Sequence, residues 1–194
     1  TADGRIRAVI ENVQPTVDGG RFAVKRVIGE SVVVEADAFT DGHDAVRVVL
    51  CYHGPERDWR ELEMDAIGND RWRAPFHVDA LGLWYFEVRA WVDHALTWRR
   101  ELARREELSD VLLALKVGAN LLEEAAARAR GDDASRLTSY AAELRATQDA
   151  NRGKELALST ELNALLARYP DRRFEARSGT FAVRVDPVRA RFSS

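Results

Sequence analysis

The sequence predicts a protein that is α+β by content, in which a helical bundle interrupts an antiparallel β-sandwich. Three observations support this prediction. Up to residue 98, short runs alternate apolar and polar residues, which is the period of a half-buried strand. From 101 to 169, apolar residues recur at steps of three and four, the period of an amphipathic helix. From residue 174 the alternation returns, so we expect a final strand.

The clearest strand pair lies in the stretch 68–93. Trp72 and Phe76 alternate with polar residues, so one face of the first strand is expected in a core. Gly82 permits the positive φ of a tight turn, after which a second alternating run follows. Together with earlier runs that end at Gly, Pro, Asn or Asp, the region before residue 99 is predicted to hold about five or six strands, including 31–39, 46–53 and 59–64.

The middle segment is predicted to form three helices. The first begins near Leu108 and ends at Gly131, and it carries one apolar stripe. The second spans 134–150, with Asp133 as its N-cap. The third spans 154–169 and ends before a proline, because the residue before proline disfavours the α region.

The final alternating run, with Phe181, Val183 and Val185, needs a partner strand, because a lone strand leaves its backbone groups unpaired. The economical partner is the sandwich. The predicted domains are therefore a discontinuous sandwich of residues 1–100 and 174–194, and a helical insertion of residues 101–173. The chain lacks an initiator Met and stops shortly after this run, so we expect it to be a piece of a longer polypeptide.

The composition indicates a globular protein without a strong charge. Hydrophobic residues make up 46% of the 194 residues, charged residues make up 31%, and the net charge is −3. This balance supplies no field that would attract nucleic acid or an anionic membrane. No apolar run approaches the roughly 18–20 residues that span a bilayer. A single cysteine, Cys51, fits a reducing compartment, so we expect a cytoplasmic protein that binds neither nucleic acid nor membrane.

No pattern in the sequence indicates catalysis, a cofactor or a metal. The histidines are far apart and lack metal-ligand spacing; they are His43, His53, His77 and His94. Cys51 lies in an apolar run and is interpreted as a small buried hydrophobe. We therefore assign no catalytic, cofactor-binding or metal residue, although residues distant in sequence can meet in a folded site.

The five tryptophans have two interpretations, core packing or contact with a ligand or partner. Trp72 and Trp84 share the alternation phase of apolar neighbours, which favours the core. Trp91 has the opposite phase and is expected to face outward, whereas Trp59 and Trp98 lie at predicted strand ends. Amphipathic rings at such positions often mark interfaces, and they also stack on sugars. Trp59, Trp91 and Trp98 are therefore the candidate contacts for a glycan or a protein interface.

Several stretches, taken in order, resemble the N-terminal region of the bacterial α-1,4-glucan:maltose-1-phosphate maltosyltransferases of the α-amylase superfamily. The stretches that carry the resemblance are RIRAVIENVQP at 5–15, DGHD at 41–44, GNDRW at 68–72, FHVD at 76–79, WYFEVRAWVD at 84–93 and TWR at 97–99. The resemblance covers about residues 5–105 and resumes near 179–194. In the helical middle, the resemblance lies in the type of segment more than in the exact residues.

The resemblance implies an immunoglobulin- or fibronectin-III-like sandwich with a helical insertion, placed ahead of a (β/α)₈ barrel. It also implies transfer of maltosyl from maltose 1-phosphate to α-glucan with release of phosphate, and assembly as a homodimer. The catalytic carboxylates of such enzymes lie on the barrel, which this sequence does not contain. No catalytic residue is therefore carried over.

Three functions stay open at this point. The first is a non-catalytic accessory and dimerisation region whose partners are its own barrel and a second copy. Its candidate contacts lie off the main helical stripes, at Leu113, Leu121 and Leu156. The second is a glycan-binding module that tethers α-glucan through exposed tryptophans. The third, an independent enzyme, is the weakest because no acid, base or nucleophile cluster is visible.

Overall fold

The computed structural model describes residues 7–189, which hold ten β-strands, five α-helices and a short 3-10 helix. The strands are β1 (Val9–Gln14), β2 (Val24–Val27), β3 (Ser31–Phe39), β4 (Val46–His53), β5 (Arg60–Glu63), β6 (Asp65–Gly68), β7 (Arg71–His77), β8 (Gly82–Val92), β9 (Ala176–Arg177) and β10 (Phe181–Asp186). The helices are α1 (His94–Arg104), α2 (Leu108–Arg128), α3 (Asp132–Ala146), α4 (Ala150–Ala157) and α5 (Thr160–Ala167). The fold is therefore α+β, as predicted.

The chain divides into two compact units. Among the described residues, the strand unit holds 7–42, 46–92 and 174–189, and the helical unit holds 43–45 and 93–173. The predicted boundary between residues 100 and 101 falls inside α1, because the helix begins right after Asp93. The side chain of Asp93 accepts a hydrogen bond from the Leu96 amide at 2.9 Å, which is an N-cap that the sequence analysis missed.

The strand unit consists of two mostly antiparallel sheets. One has the order β1-β3-β7-β6, and the other has the order β2-β10-β8-β4-β5, with β9 also beside β8. Their inner faces share one core, to which β3 contributes Val34, β7 contributes Phe76 and β8 contributes Phe86. The long strands β3, β7 and β8 supply alternate residues to this core, because successive side chains of a strand point to opposite faces.

The final strand joins the strand unit. β10 pairs antiparallel with β8, where Val183 lies opposite Trp84, and parallel with β2, where Val183 lies opposite Val24. Val183 and Val185 are buried. The expectation that the last strand pairs with the earlier ones is confirmed.

The strand unit has more strands than the sequence predicted, since eight of the ten precede residue 93. The predicted strand 59–64 corresponds to β5, after which the chain crosses to the other sheet and forms β6. Met64 lies at this crossing, where its side chain is buried and its amide donates to the Val48 carbonyl at 2.9 Å. Four-residue edge strands with exposed side chains give little alternation signal, which explains the missed β6.

The helical unit has five helices, so the prediction of a three-helix bundle is wrong in number. The predicted third helix breaks into α4 and α5 at Leu158 and Ser159. Ser159 is the N-cap of α5, and Asn163 satisfies two carbonyls at the break, those of Ala157 and Ser159. The main stripe is confirmed along α2, where Leu115 and its neighbours are buried.

The helix starts differ from the prediction in one further respect. Gly131, and not Asp133, occupies the N-cap position of α3. Asp133 lies in the first turn and accepts a hydrogen bond from the Tyr169 hydroxyl, which ties the start of α3 to the segment after α5. Within residues 7–189, no helix has the length and apolar character that a membrane crossing requires.

Candidate binding site on the strand unit

Two of the three candidate tryptophans are buried. Trp91 is only 3% exposed and packs with Val49 and Cys51, so the expectation that it faces outward is wrong. As its alternation phase predicts, Trp91 lies outside the main core of the strand unit. Its ring is nevertheless covered, because the Arg47 guanidinium lies over it at 5.3 Å from the ring centroid. A long arginine side chain covers apolar surface while its charged end stays hydrated.

Trp98 is a core residue of the helical unit. It lies in α1 and not at a strand end, it is 6% exposed, and its Nε1 donates to the Ala114 carbonyl at 2.8 Å. Gly118 lies so close to the ring that a Cβ there would be 2.1 Å from Cζ2. Trp98 therefore offers no stacking surface to a ligand.

Trp59 is 46% exposed, and it lies just before β5. Its ring and the His53 ring form an edge-to-face contact, with the centroids 4.4 Å apart and the planes at 73°. His53 in turn lies 5.3 Å from Tyr85. Of the three candidates, Trp59 is thus the one with an exposed ring. Its contact with His53, and that of His53 with Tyr85, form a row of three rings.

A cavity of about 190 Å³ lies beside His53. It is formed by the loop between β4 and β5 and the loop between β7 and β8. Its lining combines aromatic, cationic and anionic side chains, which are those of Tyr52, His53, Arg57, Asp58, Arg60, His77, Asp79 and Trp84, together with Gly54. From the sequence, both loops are predicted only as turns, because nothing in their spacing shows that the two loops meet in the fold.

Trp84 forms a fixed wall of this cavity. Its Nε1 donates to the Ala80 carbonyl at 2.9 Å, which satisfies its polar atom. Gly54 packs against the ring, and a Cβ on Gly54 would lie 2.9 Å from Cε2. Glycine is needed here because any side chain would displace the indole.

An ion pair joins the two loops. Arg57 donates to the Asp79 carboxylate at 2.8 Å, and its guanidinium lies 5.8 Å from the centroid of the Trp84 ring. The side chains of Arg57 and Asp79 are 39% and 51% exposed, so the pair contributes about 0.2–1 kcal/mol at most. A contact this weak can open for a ligand at little cost.

The charges of the lining balance. Two arginines oppose two aspartates, so the formal charges of these four side chains cancel. The Nδ1 of His53 lies 2.9 Å from the Gly54 carbonyl. Since a carbonyl only accepts, Nδ1 is the donor, and in the neutral ring Nε2 is an acceptor. A neutral lining with donors and acceptors favours a neutral polar ligand over an ion.

Other charged groups serve the fold. A bidentate pair with Arg173, at 2.7 and 2.9 Å, lowers the pKa of Asp171 to about 2. A hydrogen bond from Asn12 lowers the pKa of Asp37 beside the irregular β1–β3 pairing. Within the described part of the chain, no group of three or more His, Cys, Asp or Glu side chains is placed to hold a metal ion.

A second surface lies on the helical unit. Leu113 and Val117 are spaced i, i+4 on α2, and they are 64% and 49% exposed. The other two candidate contacts, Leu121 and Leu156, are half-buried and pack against the helical core. We call Leu113 and Val117, with the exposed edge of Leu121, the α2 apolar face.

Residues 6–187 match the family model described as α-1,4-glucan:maltose-1-phosphate maltosyltransferase, domain N/S. The chain is 44% identical to the enzyme of that name from Chlorobaculum tepidum, over 88% of this chain and 26% of that protein. It is 37% identical to the Salinibacter ruber protein, over 95% of this chain and 28% of that protein.

The Myxococcus xanthus protein of the same name is 38% identical, over 95% of this chain and 29% of its own length. The chain thus spans between a quarter and a third of the length of each of these three relatives. The matches begin in the first strands and continue through the helices to β10, so they include both units. This chain therefore belongs to the α-1,4-glucan:maltose-1-phosphate maltosyltransferase family, as an N-terminal region that matches its domain N/S.

Proposed function

We propose that this chain is a non-catalytic accessory and dimerisation region of a cytoplasmic maltosyltransferase. The parent would transfer maltosyl from maltose 1-phosphate to α-1,4-glucan, and its own (β/α)₈ barrel and a second copy would be the partners. Family membership and the partial span of the relatives support this assignment. The two sheets with a shared core support an immunoglobulin-like body as part of the same proposal.

The observation that carries the proposal is the α2 apolar face. Leu113 and Val117 expose branched apolar side chains on neighbouring turns of one helix, although the opposite side of α2 is fully buried. Polar residues border the face, including Lys116 and Asn120. An apolar centre with a polar rim is typical of a protein interface. In a two-fold dimer the same face meets its copy, so one patch suffices for both partners.

Sedimentation velocity tests the proposal. The wild-type chain should sediment increasingly as a dimer as its concentration rises, and Leu113→Glu/Val117→Glu should keep it monomeric, because two desolvated carboxylates would face each other. The matched control is Leu81→Glu/Leu83→Glu, which places the same charges at exposed leucines of the strand unit. A wild-type chain that stays monomeric at high micromolar concentration, or a dimer that survives the α2 variant, would contradict the proposal.

A second candidate function is a glycan-binding module that tethers α-glucan. The exposed ring of Trp59 favours it, because an open indole face stacks on the apolar face of a sugar. Titration with maltoheptaose should change the tryptophan fluorescence of the wild-type chain, and Trp59→Ala should remove that change. Unaltered fluorescence at millimolar sugar would eliminate this candidate.

A further inference from the structure

We propose that the cavity between the β4–β5 and β7–β8 loops is a saccharide subsite that holds one sugar unit of an oligosaccharide whose next unit stacks on Trp59. This inference rests on the second candidate function and gives it a location. It assigns polar recognition to Arg57, Asp79 and His53, and stacking to Trp59.

The formal charges of the cavity lining cancel, which favours a neutral ligand. Phosphate or a carboxylate ligand would need a cationic excess, but Asp58 and Asp79 cancel the charge of Arg57 and Arg60. An apolar ligand would form no hydrogen bonds with these groups and would displace the water that hydrates them, which is costly. A sugar hydroxyl both donates and accepts, so it can satisfy an arginine and an aspartate together. Neutral polyhydroxylated rings fit this lining best.

The Arg57–Asp79 pair offers a hydrogen-bond donor and an acceptor to a sugar ring. Its donor and acceptor atoms are 2.8 Å apart at the loop junction, and both side chains are partly exposed. Two adjacent hydroxyls of one sugar ring present a donor and an acceptor at a similar spacing, so they can bridge the pair or replace its direct bond. Hydrogen bonds to charged partners are the stronger kind, which gives the site orientation as well as affinity.

The wall behind the Arg57–Asp79 pair is fixed by a hydrogen bond and by close packing. Trp84 is held by its bond to the Ala80 carbonyl and by contact with Gly54, and Gly82 approaches Pro55 closely enough that a Cβ would lie 3.0 Å from its Cγ. This wall is therefore in place before a ligand arrives. A preorganised site loses less conformational entropy on binding.

The size of the cavity and its link to Trp59 through His53 suit an oligosaccharide. At about 190 Å³ the cavity is smaller than the roughly 300 Å³ at which pockets begin to enclose a drug-sized ligand. The cavity can therefore hold one sugar ring of an oligosaccharide, and the remaining sugar units must lie outside it. His53 lines the cavity and also contacts Trp59, so the next sugar unit has an aromatic platform within reach.

The test is an NMR titration of the whole chain with maltotriose. The indole signals of Trp59 and Trp84 and the ring signals of His53 should shift together, and the Trp98 indole should not. Asp79→Ala should weaken binding about tenfold, in line with the loss of a charge-assisted hydrogen bond. Trp59→Ala should weaken it by about fivefold, in line with the loss of one aromatic contact. The matched control, Asp186→Ala, removes an exposed carboxylate on β10 and should leave the affinity unchanged.

The outcomes separate the subsite from the function on which it rests. If Trp59→Ala abolishes binding while Asp79→Ala has no effect, the glycan tether survives and the cavity subsite is overturned. If maltotriose shifts no signal, both are overturned. If inorganic phosphate shifts the cavity signals and maltotriose does not, the site is an anion site and the saccharide assignment is wrong. The β8 amide signals report whether each variant is folded.

Discussion

At the scale of single residues, close packing fixes identities that hydrophobicity alone leaves open. Gly118 is a clear case, since α2 would be more stable as an isolated helix with alanine there. The nearby Trp98 ring excludes a side chain, because a Cβ would lie 2.1 Å from it and the ring is also held by the Ala114 carbonyl. Neither constraint is visible in the sequence, because the two residues meet only when α1 packs on α2.

Gly118→Ala should therefore destabilise the helical unit by about 1–3 kcal/mol, because overpacking outweighs the gain in helix propensity. Urea denaturation followed by the helical circular dichroism signal measures the change. Lys116→Ala, on the exposed side of the same helix, should change the stability by less than about 0.5 kcal/mol. Equal or greater stability of the Gly118 variant would show that the ring moves freely.

Asp171 gives a pH prediction. Arg173 holds the folded-state pKa of this carboxyl at about 2, below the ordinary 3.8. A lowered folded pKa stabilises the protein above the unfolded pKa, so this stabilisation is present above about pH 4 and is lost as the pH falls toward 2. An NMR pH titration of the side-chain carboxyl carbons should give a pKa of about 2 for Asp171, and Arg173→Gln should raise this pKa. Arg184→Gln should leave it unchanged, and a wild-type value near 4 would refute the pairing.

At the scale of elements, the sequence predicts those strands and helices whose pattern is long and uninterrupted. β3 and β4 begin and end where the alternation and the turn residues indicated, at Ser31–Phe39 and Val46–His53. The short edge strand β6 and the capped helix α1 were missed. β6 depends on the crossing at Met64, and α1 depends on the Asp93 cap. Hydrophobic periodicity over a stretch of residues does not reveal such single-residue features.

The break between α4 and α5 yields an element-scale prediction. Ser159 accepts from the Leu162 amide at 3.4 Å, so it satisfies one of the unpaired amides at the start of α5. Ser159→Ala should cost about 1 kcal/mol, and Ser159→Asp should recover most of it, because aspartate caps as well as serine does. Thr160→Ala, at the exposed next position, is the control. No loss in Ser159→Ala would mean that Asn163 alone holds the break.

At the scale of the whole molecule, periodicity predicted which segments form strands but not how they pair. The parallel contact of β10 with β2 joins residues about 160 positions apart in sequence, and the loop contacts of the cavity are likewise absent from any local pattern. The same limit explains Trp91. Its alternation phase was predicted correctly, but the sequence does not show that Arg47, on the neighbouring strand β4, covers its ring.

Val183 tests the closure of the strand unit, because it is fully buried between β8 and β2. Val183→Ala should destabilise this unit by about 2 kcal/mol through lost burial and a small cavity. Native-state hydrogen exchange of the β8 amides measures it. Arg184→Ala, exposed on the same strand, should leave those exchange rates nearly unchanged. If both variants behave alike, β10 contributes little to the fold.

Methyl NMR on the α2 apolar face most directly tests whether this chain assembles with its own copy. Between dilute and concentrated samples, the methyl signals of Leu113 and Val117 should shift with concentration, because they become buried against the second copy. The methyl signals of Leu81 and Leu83, exposed on the strand unit, should stay in place. Concentration-independent Leu113 and Val117 signals, or a dimer that forms while they do not move, would contradict the assembly role.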